Sequence, residues 1–267
     1  EGITFIDRDG KAEKVNCMVE SRLDDLPPAD LVLVLVKAYQ TEDAATALKG
    51  HVLREVVVLT LQNGLGNAET LARVIGEEHV AAGTCTYGAH RIGPGRIAWG
   101  GDGLVRFGPW KAGEDLSRIE ALMQKAGIET RLERDPRRAR WEKVILNASV
   151  NTVSALTRVK NGQILESPEA VALMRKLVEE GVRAAHLAGE AVETEPMWLL
   201  VRTVLGKTAN NRTSMLQDVE NKRKTEVDAI VGTLVDQARE NGETLARLET
   251  VYALVKSLHL GGLKRHE

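Results

Sequence analysis

The sequence predicts an α/β domain followed by an all-helical one, and three observations predict it. Strand-like runs alternate with helical stretches as far as Leu132, no convincing strand pattern follows Pro136, and a helix of buried character, Trp141 to Asn151, opens the second half. Alternation of this kind implies a doubly wound sheet, so the chain divides into a domain over 1–134 and a helical domain over 135–267.

Two short strand-like pieces, Ile3 to Ile6 and Val15 to Val19, flank the turn Asp7-Arg8-Asp9-Gly10 and predict a hairpin. Pro27-Pro28 breaks the chain before Leu31 to Val36, a continuous apolar run of the kind buried on both faces of a parallel sheet. A helix over 38–49, a second buried strand from Glu55 to Leu61, the turn Gln62-Asn63-Gly64-Leu65-Gly66, a helix from Asn67 to Ile75 and a third strand from Val80 to Thr86 follow. Short strands at Arg96 to Trp99 and Leu104 to Phe107 read as a hairpin closing the sheet, then a helix over 114–126 and a last strand from Ile128 to Leu132. Helical periodicity then covers 137–157, 168–189, 196–206, 211–240 and 243–258.

Composition narrows the function classes. In 267 residues, 43% hydrophobic content is ample for real cores, and 28% charged residues keep the surface solvated. Lys and Arg number 36 against 38 Asp and Glu, which offers no global field for nucleic acid or an anionic membrane. The run Arg131 to Arg140 is interleaved with Glu133 and Asp135 and reads as a solvated connector. Cys17 and Cys85 stand far apart with no metal-type spacing, so no metal site and no disulfide framework is expected. The chain shows no signal peptide or spanning segment, which makes the cytoplasm the default expectation.

The helix at 141–151 carries the main chemical signal. Lys143, Asn147 and Asn151 stand four residues apart and line one helix face, while Val144, Ile145, Leu146, Ala148 and Val150 make the neighbouring faces apolar. A lysine and two amides on such a helix need partners, and a polar pocket would supply them. Gly64-Leu65-Gly66 is a poor dinucleotide fingerprint, because Glu69 occupies the third glycine's place; it is either a backbone approach to a ligand or a tight turn. Lys37 ends a buried strand, where it could face a phosphate or carboxylate or be the first solvated residue. In the helical half, Ser214, Asp218, Asn221 and Thr225 share a face if 211–240 is one helix, with Glu226 to one side. That face is either solvated or the source of a carboxylate, Glu226, for Lys143.

Five blocks in order then carry a resemblance. Ala29 to Gln40, Gln62-Asn63-Gly64-Leu65-Gly66, Trp141-Glu142-Lys143 with Asn147 and Asn151, Asn161-Gly162, and Ser214 to Asp218 through Thr225-Glu226-Val227-Asp228 make the chain similar to the ketopantoate reductases (2-dehydropantoate 2-reductases), from its first residues to near Leu258. The resemblance implies a Rossmann-like dinucleotide-binding domain followed by a helical substrate domain of the 6-phosphogluconate-dehydrogenase-like type. It implies reduction of 2-dehydropantoate to (R)-pantoate with NADPH, in pantothenate and coenzyme A synthesis. Lys143 is then the catalytic general acid and Glu226 the carboxylate that assists it, at the substrate and at the cofactor. Asn147, Asn151, Asn161 and Ser214 hold the substrate; Lys37 and Asn63 lie at the cofactor end. The expected partner is a small 2-oxo acid, not nucleic acid or a membrane, with a homodimer left open.

The chain departs from the family in two places. The family opens on a strand and a Gly-rich turn, with a basic residue after its second strand; here Glu1-Gly2-Ile3-Thr4 resembles a point past both, and no complete G-x-G-x-x-G occurs. The expected sheet is therefore incomplete, with apolar edges exposed, and the chain is either a fragment of a longer polypeptide or has lost its main cofactor grip. Near Ala246 it also lacks a proline the family often has. Two alternatives to the reductase stay open: a cofactor-deficient remnant that binds a small acid or acts by association, and a reductase of a related 2-oxo acid or imine.

Overall fold

A computed structural model of the chain describes residues 2–52 and 55–258. They form two compact units. The first takes in the chain up to Val36, Gln40–Gln62 and Ala68–Pro136; the second takes in Lys37–Tyr39, Asn63–Asn67 and the chain from Arg137 onward.

The first unit contains β1 (Ile3–Ile6), β2 (Ala12–Val15), β3 (Leu31–Val34), α1 (Thr41–Leu48), β4 (Val57–Thr60), α2 (Asn67–Ile75, whose first residue belongs to the second unit), β5 (Val80–Cys85), β6 (Gly88–Gly93), β7 (Arg96–Gly101), β8 (Val105–Pro109), α3 (Ser117–Lys125) and β9 (Thr130–Leu132). Five strands make one sheet in the order β3-β4-β5-β8-β9, with β5 and β8 antiparallel and the other pairs parallel. Successive side chains on a strand point to opposite faces, and both faces of β4 are covered. Val58 packs with Val34, Ala45, Leu48, Leu71 and Val80, whereas Leu59 packs with Ala81, Phe107, Ile119 and Met123. This double covering is why β4 reads as an unbroken apolar run.

The expectation for β3 needs correction. It pairs with β4 alone among the described residues, so it is an edge strand, and Leu33 is 43% and Leu35 60% exposed.

A second, four-stranded sheet runs β2-β1-β7-β6. Asp7 Oδ1 accepts from the N–H groups of Asp9 and Lys11, and Gly10 takes φ 80°, which closes the first hairpin. Its second strand is Ala12–Val15 and not Val15 to Val19: Met18 and Val19 are exposed coil. The expected hairpin of β7 with β8 does not form. β7 pairs with β6 and β1, and β8 with β5, in different sheets. The Gly100 to Gly103 stretch permits the crossing: Gly101 has φ 142°, and a Cβ on Gly103 would stand 2.1 Å from the Tyr87 nitrogen.

The second unit contains α4 (Arg137–Thr157), α5 (Asn161–Ile164), α6 (Pro168–Leu187), α7 (Thr194–Lys207), α8 (Ser214–Glu220), a π-helical turn (Asp228–Gly232) leading into α9 (Thr233–Glu240), and α10 (Ala246–Ser257). Fourteen of the 21 residues of α4 are buried, so it runs through the core and does not lie on it. Its hydroxyls are satisfied locally, Ser149 donating to the Ile145 carbonyl and Thr152 to that of Ala148. Gly181 lets α6 approach, since a Cβ there would be 3.0 Å from Ile145 Cγ2.

The predicted helix over 211–240 is broken. Arg223 N–H donates to the Asp218 carbonyl at 2.7 Å and Lys222 N–H to that of Val219 at 3.1 Å, with Lys222 at φ 54°. This is a Schellman cap, and it turns the chain out of α8 before the π-helical turn begins. Arg140, at 5% exposure, is likewise buried in α4 although the Arg-rich run reads as a solvated connector. Among the described residues no helix is long and apolar enough to cross a membrane.

Candidate active site

Every candidate residue falls in the second unit, including Lys37 and Asn63, which follow β3 and β4 in sequence. The chain ahead of both is tied by Gln62, whose Nε2 donates to the Val36 carbonyl at 2.7 Å and to Thr41 Oγ1 at 2.8 Å. Beyond Gln62 the chain turns on Gly64, φ 86°, and docks by its backbone: Leu65 N–H donates to the Ala229 carbonyl at 2.9 Å. Ala229 lies in the π-helical turn, and a widened turn of this type leaves carbonyls free to accept from outside the helix. A Cβ on Gly64 would stand 2.3 Å from that same oxygen. The glycine therefore serves a close approach of two backbones, and Gly66, with no atom within 4 Å of its Cβ position, supplies only a positive φ.

This docking presents Asn63 to Glu226. The Glu226 carboxylate accepts from Ala38 N–H at 3.0 Å and from Asn63 Nδ2 at 3.5 Å, and Lys37 Nζ stands 3.5 Å from its Oε2. Lys37 is nearer a second acid, with Nζ 2.6 Å from Asp218 Oδ2. Burial opposes the charge on Lys37, but the Asp218 hydrogen bond and the charges of Glu226 and Asp218 outweigh it and hold the lysine above its ordinary pKa. Nearby, the Lys224 ammonium lies 4.6 Å from the centre of the Tyr39 ring.

On α4, Lys143, Asn147 and Asn151 occupy successive turns; Lys143 is half-buried, and the amides are 8% and 6% exposed. Asn161 begins α5, held by its N–H to the Asn211 carbonyl and by Gly162 N–H to that of Ala209. Its Nδ2 donates to Thr208 Oγ1 at 2.8 Å, and the Thr208 hydroxyl donates onward to Val204. That chain of donors fixes the amide's orientation and leaves the buried Asn161 Oδ1 an acceptor with no partner among the described residues. Ser214 is exposed in the first turn of α8, while Thr213 caps the helix by accepting from Leu216 N–H.

Because α8 ends at Glu220, Ser214, Asp218, Asn221 and Thr225 do not share one helix face. Asp218 and Glu226 still come together, through Lys37. Three participants escape the sequence reading: Asp218 as the partner of Lys37, the Ala38 N–H, and Thr208 behind Asn161. Only Asp218 leaves a signal, an acid in a helix's last turn, where the helix dipole disfavours it. No group of three or more His, Cys, Asp or Glu among the described residues could hold a metal ion.

Comparison with known proteins locates the chain. The family described as ketopantoate reductase PanE/ApbA matches residues 1–112, and its C-terminal counterpart matches residues 135–259. The 2-dehydropantoate 2-reductase of Halobacterium salinarum is 36% identical over 96% of this chain and 84% of its own length; that of Bacillus subtilis is 31% identical over 97% and 84%. A PanE/ApbA-family ketopantoate reductase from Ralstonia eutropha superposes with a TM-score of 0.90 at 26% identity, covering 98% of this chain and 86% of that one. A D-mandelate dehydrogenase solved with NADH and anilino(oxo)acetate superposes at 0.92 with 18% identity, covering 97% and 85%, which shows a shared fold only. On the two family matches and these identities, the chain belongs to the ketopantoate reductase family.

Proposed function

We propose that this chain is an oxidoreductase that reduces 2-dehydropantoate to (R)-pantoate, with NADPH as the reductant. The observation that carries the reading is one compact unit holding both the Lys143, Asn147, Asn151 stripe and the Lys37, Asn63, Glu226 cluster. The region over 1–134 is assigned to dinucleotide binding and that over 135–267 to the substrate, although Lys37 and Asn63 pack with the latter.

The donor set near Glu226 fits a nicotinamide cofactor in part. Glu226 Oε2 and Asn63 Nδ2 meet only at 3.5 Å, so both retain hydrogen-bonding capacity for hydroxyls and a carboxamide, while the charge of Lys37, beside them at the cofactor end, is taken up by Asp218 at 2.6 Å. The cofactor, when bound, supplies a hydride to the ketone carbon.

The protein's own residues do the rest. Negative charge grows on the ketone oxygen as hydride arrives; the Lys143 ammonium stabilises it and delivers the proton from Nζ. Asn147 and Asn151 bind the substrate by hydrogen bonds without adding charges that compete with Lys143, and Ser214 adds a hydroxyl. The Asn161 Oδ1 acceptor supports a substrate that also carries a donor, such as a hydroxyl. Glu226 assists at the reacting end. The test is NADPH oxidation with 2-dehydropantoate: Lys143→Ala should lose activity by orders of magnitude in a protein that remains folded, and an unchanged rate refutes the assignment.

A further inference from the structure

Two buried carboxylates share one ammonium in this unit. The side chains of Asp218 and Glu226 are each 7% exposed, and Lys37 Nζ lies 2.6 Å from the first and 3.5 Å from the second. The lysine's charge is thus committed to Asp218, and Glu226 is held mainly by the neutral Ala38 N–H at 3.0 Å. Its Oε2 has Lys37 and Asn63 only at 3.5 Å, the outer limit of a hydrogen bond, so that oxygen keeps accepting capacity.

Local structure does not explain an acid at position 218. It lies in the last turn of α8, where the carbonyl ends of the helix already concentrate negative potential and an aspartate costs stability. Its backbone carbonyl is used by Arg223 N–H in the Schellman cap, which any residue could serve. Arg223 Nε, at 4.0 Å from Oδ1, is a distant and exposed second cation. What the carboxylate does is hold Lys37.

We propose that Asp218 is a positioning residue for the reductase: by holding the Lys37 ammonium it keeps that lysine from closing onto Glu226, and so leaves Glu226 Oε2 to accept a hydrogen bond from a hydroxyl of the bound ligand. The inference rests on the reductase reading above. Without the Asp218 charge, the nearest anion left to Lys37 is Glu226, and a tight ion pair there occupies the oxygen that the ligand needs.

A double-mutant cycle separates this from a role in packing, because a residue that acts through Lys37 loses its effect when Lys37 is gone. The variants are Asp218→Asn, Lys37→Gln and the pair, with NADPH binding measured by calorimetry and turnover with 2-dehydropantoate. Asp218→Asn should lower kcat/KM about ten-fold in the native background but less than about two-fold in Lys37→Gln. Asp218→Glu, which keeps the charge, should recover most of the loss. If Asp218→Asn is too unstable to assay, Asp218→Ser takes its place in the cycle. Equal penalties in both backgrounds, or a near-native Asp218→Asn, overturn the proposal while an active native protein leaves the reductase reading intact. A native protein that neither binds NADPH nor reduces the substrate overturns the reductase reading itself.

Discussion

Gly64 lies against Ala229 so closely that a Cβ on the glycine would stand 2.3 Å from the Ala229 carbonyl oxygen. The approach is what lets Leu65 N–H reach that oxygen and brings Asn63 beside Glu226. Gly64→Ala therefore meets two obstacles at once, a backbone clash and a left-handed φ of 86°. Strain of this kind costs about 1–3 kcal/mol, which corresponds to about a five-fold to 150-fold loss if it falls on the Asn63 position. Steady-state NADPH oxidation checks this, with Gly66→Ala as comparison: Gly66 also has a positive φ but no neighbouring atom in the way. A Gly64→Ala enzyme no worse than Gly66→Ala would show that the close approach is unimportant.

Lys143 carries the heaviest chemical assignment. General acid catalysis contributes about 10²–10⁴ in rate, so Lys143→Ala should lose that much in kcat. Asn147→Ala and Asn151→Ala remove the proposed substrate contacts, which would persist through the reaction, and should appear mainly as higher KM. A reversed pattern, with kcat lost at the amides and KM at the lysine, would exchange the roles.

The stripe on α4 is legible in the sequence because helical spacing is local: residues four apart share a face whatever packs against them. The double covering of β4 is legible for the same reason, in its unbroken apolar run. Other features are less legible. The pairing of β7 with β1 depends on chain crossing at Gly100 to Gly103, and a β-type run of residues does not specify which sheet receives it. The exposure of Leu33 and Leu35 runs against the apolar composition of β3, which reads as buried on both faces, but agrees with the exposed apolar edges expected of an incomplete sheet. The end of α8 depends on Lys222 taking a left-handed φ without being glycine, so the usual stop signal is missing. That hidden break is why Glu226 cannot be placed by counting turns from Ser214. The pairing of Lys37 with Asp218 joins residues 181 apart in the chain, and no spacing rule reaches that far.

Lys37 predicts a pH dependence of stability. Its pKa in the folded protein is raised: burial works against the charge, but Asp218 and Glu226 more than compensate. A raised lysine contributes stability that is fully present below the unfolded value of about 10.4 and is lost as pH rises through the folded pKa. Denaturant unfolding of the native protein and of Lys37→Met should therefore differ at neutral pH and converge only as pH rises through the raised folded pKa, where the native lysine also loses its charge. A stability difference that persists unchanged at high pH would mean that Lys37 stabilises by packing its stem and not by its ammonium.

Glu180 offers a test of the helical unit independent of catalysis. Its side chain, 7% exposed on α6, accepts from the N–H groups of Arg247 and Leu248 and from the Arg247 guanidinium at 3.1 Å. The two amides lie in the first turn of α10, which has no side-chain cap of its own, so a carboxylate from another helix caps it and meets the positive end of its dipole. Glu180→Ala leaves buried donors without an acceptor and should cost about 3 kcal/mol, as breaking a buried charged network does. Glu180→Gln retains an acceptor oxygen and should cost distinctly less. Equilibrium denaturation measures both, and equal losses would show that α10 is held by its apolar contacts, Leu248, Val251 and Val255, and not by the cap.

Asn161 gives the last prediction, about substrate choice. Thr208 accepts from its Nδ2 and donates its own hydroxyl to the Val204 carbonyl, so the amide cannot turn over without losing a bond, and Oδ1 remains an acceptor. An acceptor discriminates by donors: the carboxylate and ketone of a 2-oxo acid offer none, whereas the hydroxyl of 2-dehydropantoate does. Asn161→Leu should therefore raise KM for 2-dehydropantoate and leave KM for a 2-oxo acid lacking the hydroxyl nearly unchanged. The difference should be about ten-fold, the scale of one hydrogen bond made with a buried group. Asn161→Asp keeps the acceptor but replaces the amide donor to Thr208, so it should retain selectivity between the two acids while losing affinity for both. If Asn161→Leu weakens the two substrates alike, the free oxygen does not select the hydroxyl, and Asn161 acts by holding α5 against the Ala209 to Asn211 segment.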